Sequence, residues 1–183
     1  MSPRVRQPVV GGIAGGVGTT TIADLIEAID DGIVIDLSAM KGIRVDPTAR
    51  TAQVGGGCTW ADVDHATHAF GLATPSGIIS TTGVGGLTLG GGIGHLTRRC
   101  GLAIDNLLGA DMVLADGSLV SVSADDHSDL YWAIRGGGGN FGVATSFTYR
   151  LHPVQTIVGG LIAHPIDAAP GLLRFYREAV ADA

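Results

Sequence analysis

Glycine-rich loops are the part of this sequence whose residue types and spacing point most directly to chemistry. Residues 75–96 read PSGIISTTGVGGLTLGGGIGHL and contain no lysine, arginine or carboxylate side chain. Glycine permits positive φ angles and lets a flat or anionic ligand approach the main chain closely. Backbone N–H groups in such a loop can hold a pyrophosphate without a lysine. Because isoleucine, valine and leucine interleave with the glycines, we interpret this stretch as a cofactor site and not as a flexible linker.

Two shorter glycine clusters have the same character. Residues 55–57 (GGG) end a predicted strand and open a predicted helix, which suits an anion at a helix N-terminus. Residues 136–142 read GGGGNFG and lie between a predicted helix and a strongly patterned strand. A loose turn is the alternative for this last cluster. The presence of three such loops in one small domain favours a single site that all three loops line.

The titratable residues give weaker signals. His65 and His68 lie three residues apart on a predicted helix, but no third ligand is evident, so we expect exposed side chains and no metal site. His95 lies inside the glycine stretch and either reaches a bound cofactor or faces solvent. Asp105 and Asn106 follow that stretch and either line the site or, for the aspartate, cap a helix.

Composition limits the function classes. A chain of 183 residues with 45% hydrophobic residues suits one domain, or one and part of a second. The formal net charge of −6 argues against nucleic acid or an anionic membrane as the main partner. Two cysteines indicate no disulfide framework and favour a reducing, cytoplasmic location. We identify no signal peptide and no apolar run long enough to span a membrane.

Local patterns predict strands and helices without a regular βαβ repeat, which favours the α+β class. Thr59 is the expected N-cap of a helix, with Asp62 three residues on. The dipeptides Asp46-Pro47 and Asp116-Gly117 predict turns, the second of them in a β-hairpin. The predicted strands are 9–10, 32–37, 43–45, 49–55, 108–115, 118–123, 142–151 and 156–163, and the predicted helices are 21–29, 59–70, 128–134 and 168–183.

Taken in order, five segments of residues 32–165 resemble the FAD-binding (PCMH-type) domain of the berberine-bridge-enzyme-like oxidases: DGIVIDLS, VGGGCTWADVDHAT, GLATPSGIISTTGVGGLTLGGGIGHLTRRCGLAIDNL, VLADGSLVSVS and DLYWAIRGGGGNFGVATSFTYRLHPV. The resemblance implies two α+β subdomains that clasp FAD, with a separate substrate domain. It also implies oxidation of a small-molecule alcohol, sugar or secondary metabolite, with hydride passed to the flavin. The FAD-binding positions it implies are Gly55, Gly56, Gly57, Gly77, Thr81, Thr82, Gly83, Gly85, Gly86, Leu89, Gly90, Gly91, Gly94, His95, Asp105, Asn106, Asn140, Gly142 and Val143.

Two departures from the family pattern concern the flavin linkage. The Arg-Gly-Gly-Gly-His run that normally precedes DGIVIDLS, and whose histidine attaches to the flavin, is missing here. Ile79 stands where some members carry a second, cysteine anchor. We therefore expect non-covalent FAD. Cys58 belongs to a different motif and is expected to be a small residue packed near a helix start. No catalytic residue is assigned.

The same resemblance divides the chain into three expected segments. Residues 1–31 form a divergent strand–turn–helix, residues 32–165 an FAD-binding domain with a shortened N-terminal subdomain, and residues 166–183 the start of a truncated substrate domain that is otherwise absent. Residues 15–21 resemble the phosphate loop of ParA/MinD-like ATPases, but Thr19 replaces the required lysine, so we expect no ATPase.

Two function hypotheses follow. One is the FAD-binding domain of an oxidoreductase with a small-molecule substrate. The other is a non-catalytic remnant that binds FAD weakly or not at all. An apolar face on the last helix predicts self-association through Leu172, Leu173, Phe175, Tyr176 and Val180.

Overall fold

A five-stranded antiparallel sheet organises the part of the chain that the computed structural model describes, residues 35–154, 157 and 159–181. The strands are β1 (Ile43–Asp46), β2 (Thr51–Gly55), β3 (Leu72–Ala73), β4 (Leu107–Val113), β5 (Leu119–Ser123), β6 (Val143–Arg150) and β7 (His152–Pro153). The order of the strands in the five-stranded sheet is β1-β2-β6-β4-β5. The short strands β3 and β7 pair antiparallel in a separate two-stranded ribbon.

Helices connect these strands. The helices are α1 (Trp60–His68), α2 (Val84–Leu89), α3 (Thr97–Cys100), α4 (Ser128–Gly137) and α5 (Ala169–Ala181), with 3-10 turns at Ala103–Asn106, Gly138–Phe141 and Ile166–Ala168. The predicted cap of α1 is confirmed, because the Thr59 hydroxyl accepts from the Asp62 N–H and the Asp62 carboxylate accepts from the Thr59 N–H. Arg135 and Gly136 leave helical geometry, so regular α4 ends at Ile134, as predicted.

Strand alternation places the core on one face of the sheet. Ala52 and Val54 of β2 are fully buried, whereas Gln53 between them is exposed. Helices α1, α2 and α4 add buried apolar residues to the same cluster as the strands. Its largest side chains include Trp60, Phe147 and Tyr149. The sheet is therefore covered by helices on the face that carries the core.

The α+β class is confirmed, and so are the two predicted turns. Residues 47–50 form the turn between β1 and β2, which pair as a hairpin. In the β4–β5 hairpin, Gly117 adopts a φ of +83° and Met112 pairs with Val120. An Asp116 carboxylate oxygen accepts from the Ser118 N–H and stabilises the turn.

Two strand predictions are wrong in the described residues. Residues 35–37 are not in a strand, and neither are residues 157 and 159–163. An apolar pattern forms a strand only where a sheet edge is free to pair with it, and Leu161 is 96% exposed with no strand beside it among the described residues. The predicted strand 9–10, helix 21–29 and loop 15–21 lie outside the described residues. The boundaries of the three expected segments remain predictions.

Candidate functional site

The three glycine loops meet around α2. This helix contacts α4 and the 3-10 turns at 103–106 and 138–141. Residues 58–60 pair with residues 82–84, because Trp60 N–H donates to the Thr82 carbonyl (3.0 Å) and Val84 N–H donates to the Cys58 carbonyl (2.9 Å). The structure therefore brings together three loops that lie far apart in the sequence.

At the start of the 75–96 stretch, a run of backbone N–H donors has no acceptor among the described residues. The N–H groups of residues 76–81 and of Gly83 donate to no other residue of the described ranges. The carbonyls of Ser80 and Thr82 are used instead, because they accept from Ala61 and Trp60 at the start of α1. These bonds fix the segment at one side. Its free N–H groups are available to a ligand with several acceptor oxygens, such as a pyrophosphate.

Apart from Gly86, the predicted glycines fall into two groups according to what a Cβ atom would meet. A Cβ on Gly83 or Gly91 would have no atom of the described residues within 4 Å, and Gly91 has a φ of +117°. Glycines of the other group pack against the chain itself. A Cβ would meet the Met40 carbonyl at Gly55, the Ala144 carbonyl at Gly56, the Leu37 carbonyl at Gly57, the Leu87 side chain at Gly77, the Phe147 ring at Gly85, the Gly86 carbonyl at Gly90, the Ser76 carbonyl at Gly94 and the Val113 carbonyl at Gly142.

Apolar side chains flank the open glycines. Ile78 is 64% exposed, Ile79 48% and Ile93 72%. Exposed isoleucines beside a run of free N–H groups give the loop both an apolar and a hydrogen-bonding character. That combination fits a ligand that carries a flat ring system and phosphates.

Asp105 and Asn106 have partners within the protein. An Asp105 carboxylate oxygen accepts from the Leu102 N–H (2.9 Å) and so caps the 3-10 turn from its third position. Its other oxygen lies 3.6 Å from the Arg135 guanidinium, at the end of α4. Asn106 is buried, and its amide bonds two backbone carbonyls and His152. The two residues thus connect residues 100–102 to Arg135 and to His152.

The remaining predicted site residues occupy varied environments. Thr81 and His95 are exposed, whereas Thr82 and Leu89 are buried. Gly86 lies within α2, and Val143 is the first residue of β6. The Asn140 amide donates to the Gly137 carbonyl (2.6 Å) within its own loop.

The histidines on α1 are exposed, as expected. No cluster of three metal-ligating side chains occurs in the described part of the chain. Within those residues, no helix is both long and apolar enough to cross a membrane.

Sequence reasoning missed three side-chain pairs that support the site. Arg135 contacts Asp105, and His152 contacts Asn106. The hydroxyls of Thr88 on α2 and Tyr149 on β6 lie 2.7 Å apart in the core, and burial raises the pKa of Tyr149. None of these pairs has a local signal, although Arg135 directly precedes the 136–142 loop.

Comparison with known proteins agrees with this geometry. Residues 10–123 match the family described as an FAD binding domain. An FAD-linked oxidoreductase of Dictyostelium discoideum is 48% identical over 136 residues, which cover 74% of this chain and 30% of that protein. In the crystal structure of 6-hydroxy-D-nicotine oxidase from Arthrobacter nicotinovorans, the match is 42% identical with a TM-score of 0.67 and covers 68% of this chain and 28% of that chain.

A covalent flavoprotein is also among the similar structures. Glucooligosaccharide oxidase from Acremonium strictum, described with a 6-S-cysteinyl, 8α-N1-histidyl FAD, is 36% identical with a TM-score of 0.62, over 66% of this chain and 25% of that one. This chain spans about a quarter to a third of the length of the relatives named here. The chain belongs to the FAD-linked oxidoreductases of the berberine-bridge-enzyme-like family, and its fold is that of their PCMH-type FAD-binding domain.

Proposed function

We propose that this chain is the FAD-binding part of an oxidoreductase that oxidises a small-molecule alcohol, sugar or secondary metabolite. The observation that carries the proposal is the run of backbone N–H groups at residues 76–81 and Gly83, which have no acceptor within the described residues. This run lies beside two glycines whose Cβ positions are open. Neutral backbone N–H groups can hold a pyrophosphate without a lysine.

The residues present fit FAD in chemical type. Backbone donors of the 76–83 segment would hold the phosphates, and the open faces of Gly83 and Gly91 leave room for close approach. The exposed Ile78 and Ile93 would cover the flat rings. Bound FAD supplies the redox chemistry by accepting a hydride. The chain's own contribution, on this proposal, is to bind and orient the cofactor and to exclude water from one side.

We further propose that the FAD is non-covalent. Ile79, an alkyl side chain, occupies the position of the family's cysteine anchor. Cys58 is 1% exposed, and burial raises the pKa of its thiol. A thiol must be accessible and partly ionised to form a bond with a flavin, and Cys58 is neither.

Two expectations about the environment of the chain are retained as proposals. A cytoplasmic location is supported by Cys58 and Cys100 being free thiols.

Self-association is supported by the apolar side chains of Leu173, Phe175 and Tyr176 on α5, which are 64–67% exposed. Light scattering after gel filtration, with Phe175→Ser as the variant, tests the second proposal. A single monomeric peak for the unmodified chain contradicts it.

Anaerobic flavin bleaching tests the proposed reaction class. The purified chain with added FAD is incubated with a panel of alcohols, oligosaccharides and hydroxylated heterocycles, and flavin absorbance is followed. Because this chain spans about a quarter to a third of the length of its relatives, we expect the chain alone to bleach FAD slowly or not at all. Any compound that bleaches the chain's FAD faster than free FAD identifies the substrate class, and turnover of about 1–1000 per second would contradict the expected low activity.

A further inference from the structure

A buried polar cluster lies behind the second half of the glycine stretch. The Asn106 side chain, 2% exposed, donates through Nδ2 to the carbonyls of Cys100 and Leu102, both at 2.9 Å. Its Oδ1 lies 2.6 Å from Nε2 of His152 on β7. Because Nδ2 donates twice, the amide orientation is fixed and Oδ1 must accept. His152 Nε2 therefore carries the proton and is the donor.

The 3-10 turn that Asn106 stabilises also makes hydrogen bonds to the backbone of the glycine stretch. The N–H groups of Ala103 and Ile104 donate to the carbonyls of Gly92 and Gly91, each at 3.0 Å. Gly91 and Gly92 have φ angles of +117° and +77°. Glycine has no intrinsic preference for this region over others, so contacts from neighbouring residues must select it. The two hydrogen bonds from the turn do so.

We infer that Asn106 and His152 are positioning residues for the cofactor and do not contact it. His152 orients the Asn106 amide, the amide fixes residues 100–104, and this turn fixes the backbone of Gly91 and Gly92. The inference rests on the proposed FAD site, because it assigns Gly91 to the surface that the cofactor approaches. It changes the expected role of Asn106 from a ligand contact to a support.

The electrostatic surroundings of His152 agree with this role. Burial lowers the pKa of His152, and the positive charges of Arg150 and Arg99 lower it further. The ring is therefore neutral at pH 7, with its proton on Nε2 and its Nδ1 unprotonated. A glutamine at this position can also donate to Asn106, whereas an alanine cannot.

Hydrogen exchange and FAD titration of the whole chain test the inference together. His152→Ala removes the donor, His152→Gln replaces it, and His68→Ala removes an exposed histidine on α1 as the matched control. In His152→Ala without FAD, we expect exchange of the Ala103 and Ile104 amides to accelerate about tenfold, which corresponds to about 1.4 kcal/mol. We expect FAD affinity to fall by a similar factor, and His152→Gln to restore most of both.

The outcomes separate this inference from the proposed function. Circular dichroism first establishes that each variant retains the fold. Unchanged exchange at Ala103 and Ile104 in His152→Ala overturns the inference, whatever the FAD result. Faster exchange with unchanged FAD affinity also overturns it, because the cluster would then be structural only. Failure of the unmodified chain to bind FAD overturns the proposed function. The exchange result then decides separately whether His152 stabilises the turn that contains Ala103 and Ile104.

Discussion

A valine at Gly83 separates effects on FAD binding from effects on folding. Gly83 precedes α2 with φ −67° and ψ 141°, a conformation that any residue adopts. A Cβ there meets no atom within 4 Å in the part of the chain that the structure describes. Valine is a poorer N-cap than glycine, so we expect a loss of about 1 kcal/mol in the free energy of unfolding. That loss lowers the melting temperature by about 2–4 °C for a chain of this size.

FAD affinity is expected to change far more. If the cofactor lies against the Gly83 backbone, the valine methyl groups occupy its place, and we expect at least a 100-fold loss of affinity, about 2.7 kcal/mol. Gly55→Val is the contrasting variant. Its Cβ would collide with the Met40 carbonyl, so it should lose about 1–3 kcal/mol of stability by overpacking. Fluorescence titration with FAD and thermal melting distinguish the two. Wild-type affinity in Gly83→Val would refute the assignment of this loop.

Three further predictions concern packing, pH and the flavin linkage. Tyr149→Phe leaves the Thr88 hydroxyl buried without its partner and should lower the free energy of unfolding, measured by chemical denaturation, by about 1–3 kcal/mol. Adding Thr88→Val should recover part of this loss. If the losses of the two single variants simply add in the double variant, the two hydroxyls do not interact. Burial and Arg150 lower the pKa of folded His152 below its ordinary value of 6.5, so the unfolded chain binds this proton first. The free energy of unfolding should therefore fall as the pH drops below about 6.5, less steeply in His152→Gln, and an equal slope in both would exclude His152 as the cause. Acid precipitation should leave all flavin in the supernatant, and flavin that stays with the pellet would show a covalent bond.

Elements with local signals could be predicted from the sequence. The Asp116-Gly117 turn and the Thr59 cap are encoded within four residues, and both occur where expected. Helix α2 could not be predicted, because VGGLTL carries two glycines that each disfavour a helix by about 1 kcal/mol. It forms because Val84 and Leu89 are buried in the core and Thr88 bonds Tyr149 on a distant strand.

The sequence predicts which loops form the candidate site, but it does not predict how their residues are arranged. Clusters of glycine identify the three loops, yet the sequence does not reveal which glycines face open space and which pack against the chain. Gly55 and Gly94 are required by close contacts within the protein, whereas Gly83 is open. Asn106 meets His152 from 46 positions away, and such a pair depends on the β3–β7 ribbon that the local patterns did not predict.

A comparison of FAD with FMN as ligands of the purified chain tests the central claim most directly. FMN has the same flavin ring but lacks the pyrophosphate and adenosine, so it cannot use all the backbone donors of residues 76–83. We predict that FAD co-elutes with the chain on gel filtration at about one per chain, and that FMN binds at least tenfold more weakly, a difference of about 1.4 kcal/mol. Equal affinity for the two flavins, or no retention of FAD, would contradict the claim that this loop holds the pyrophosphate.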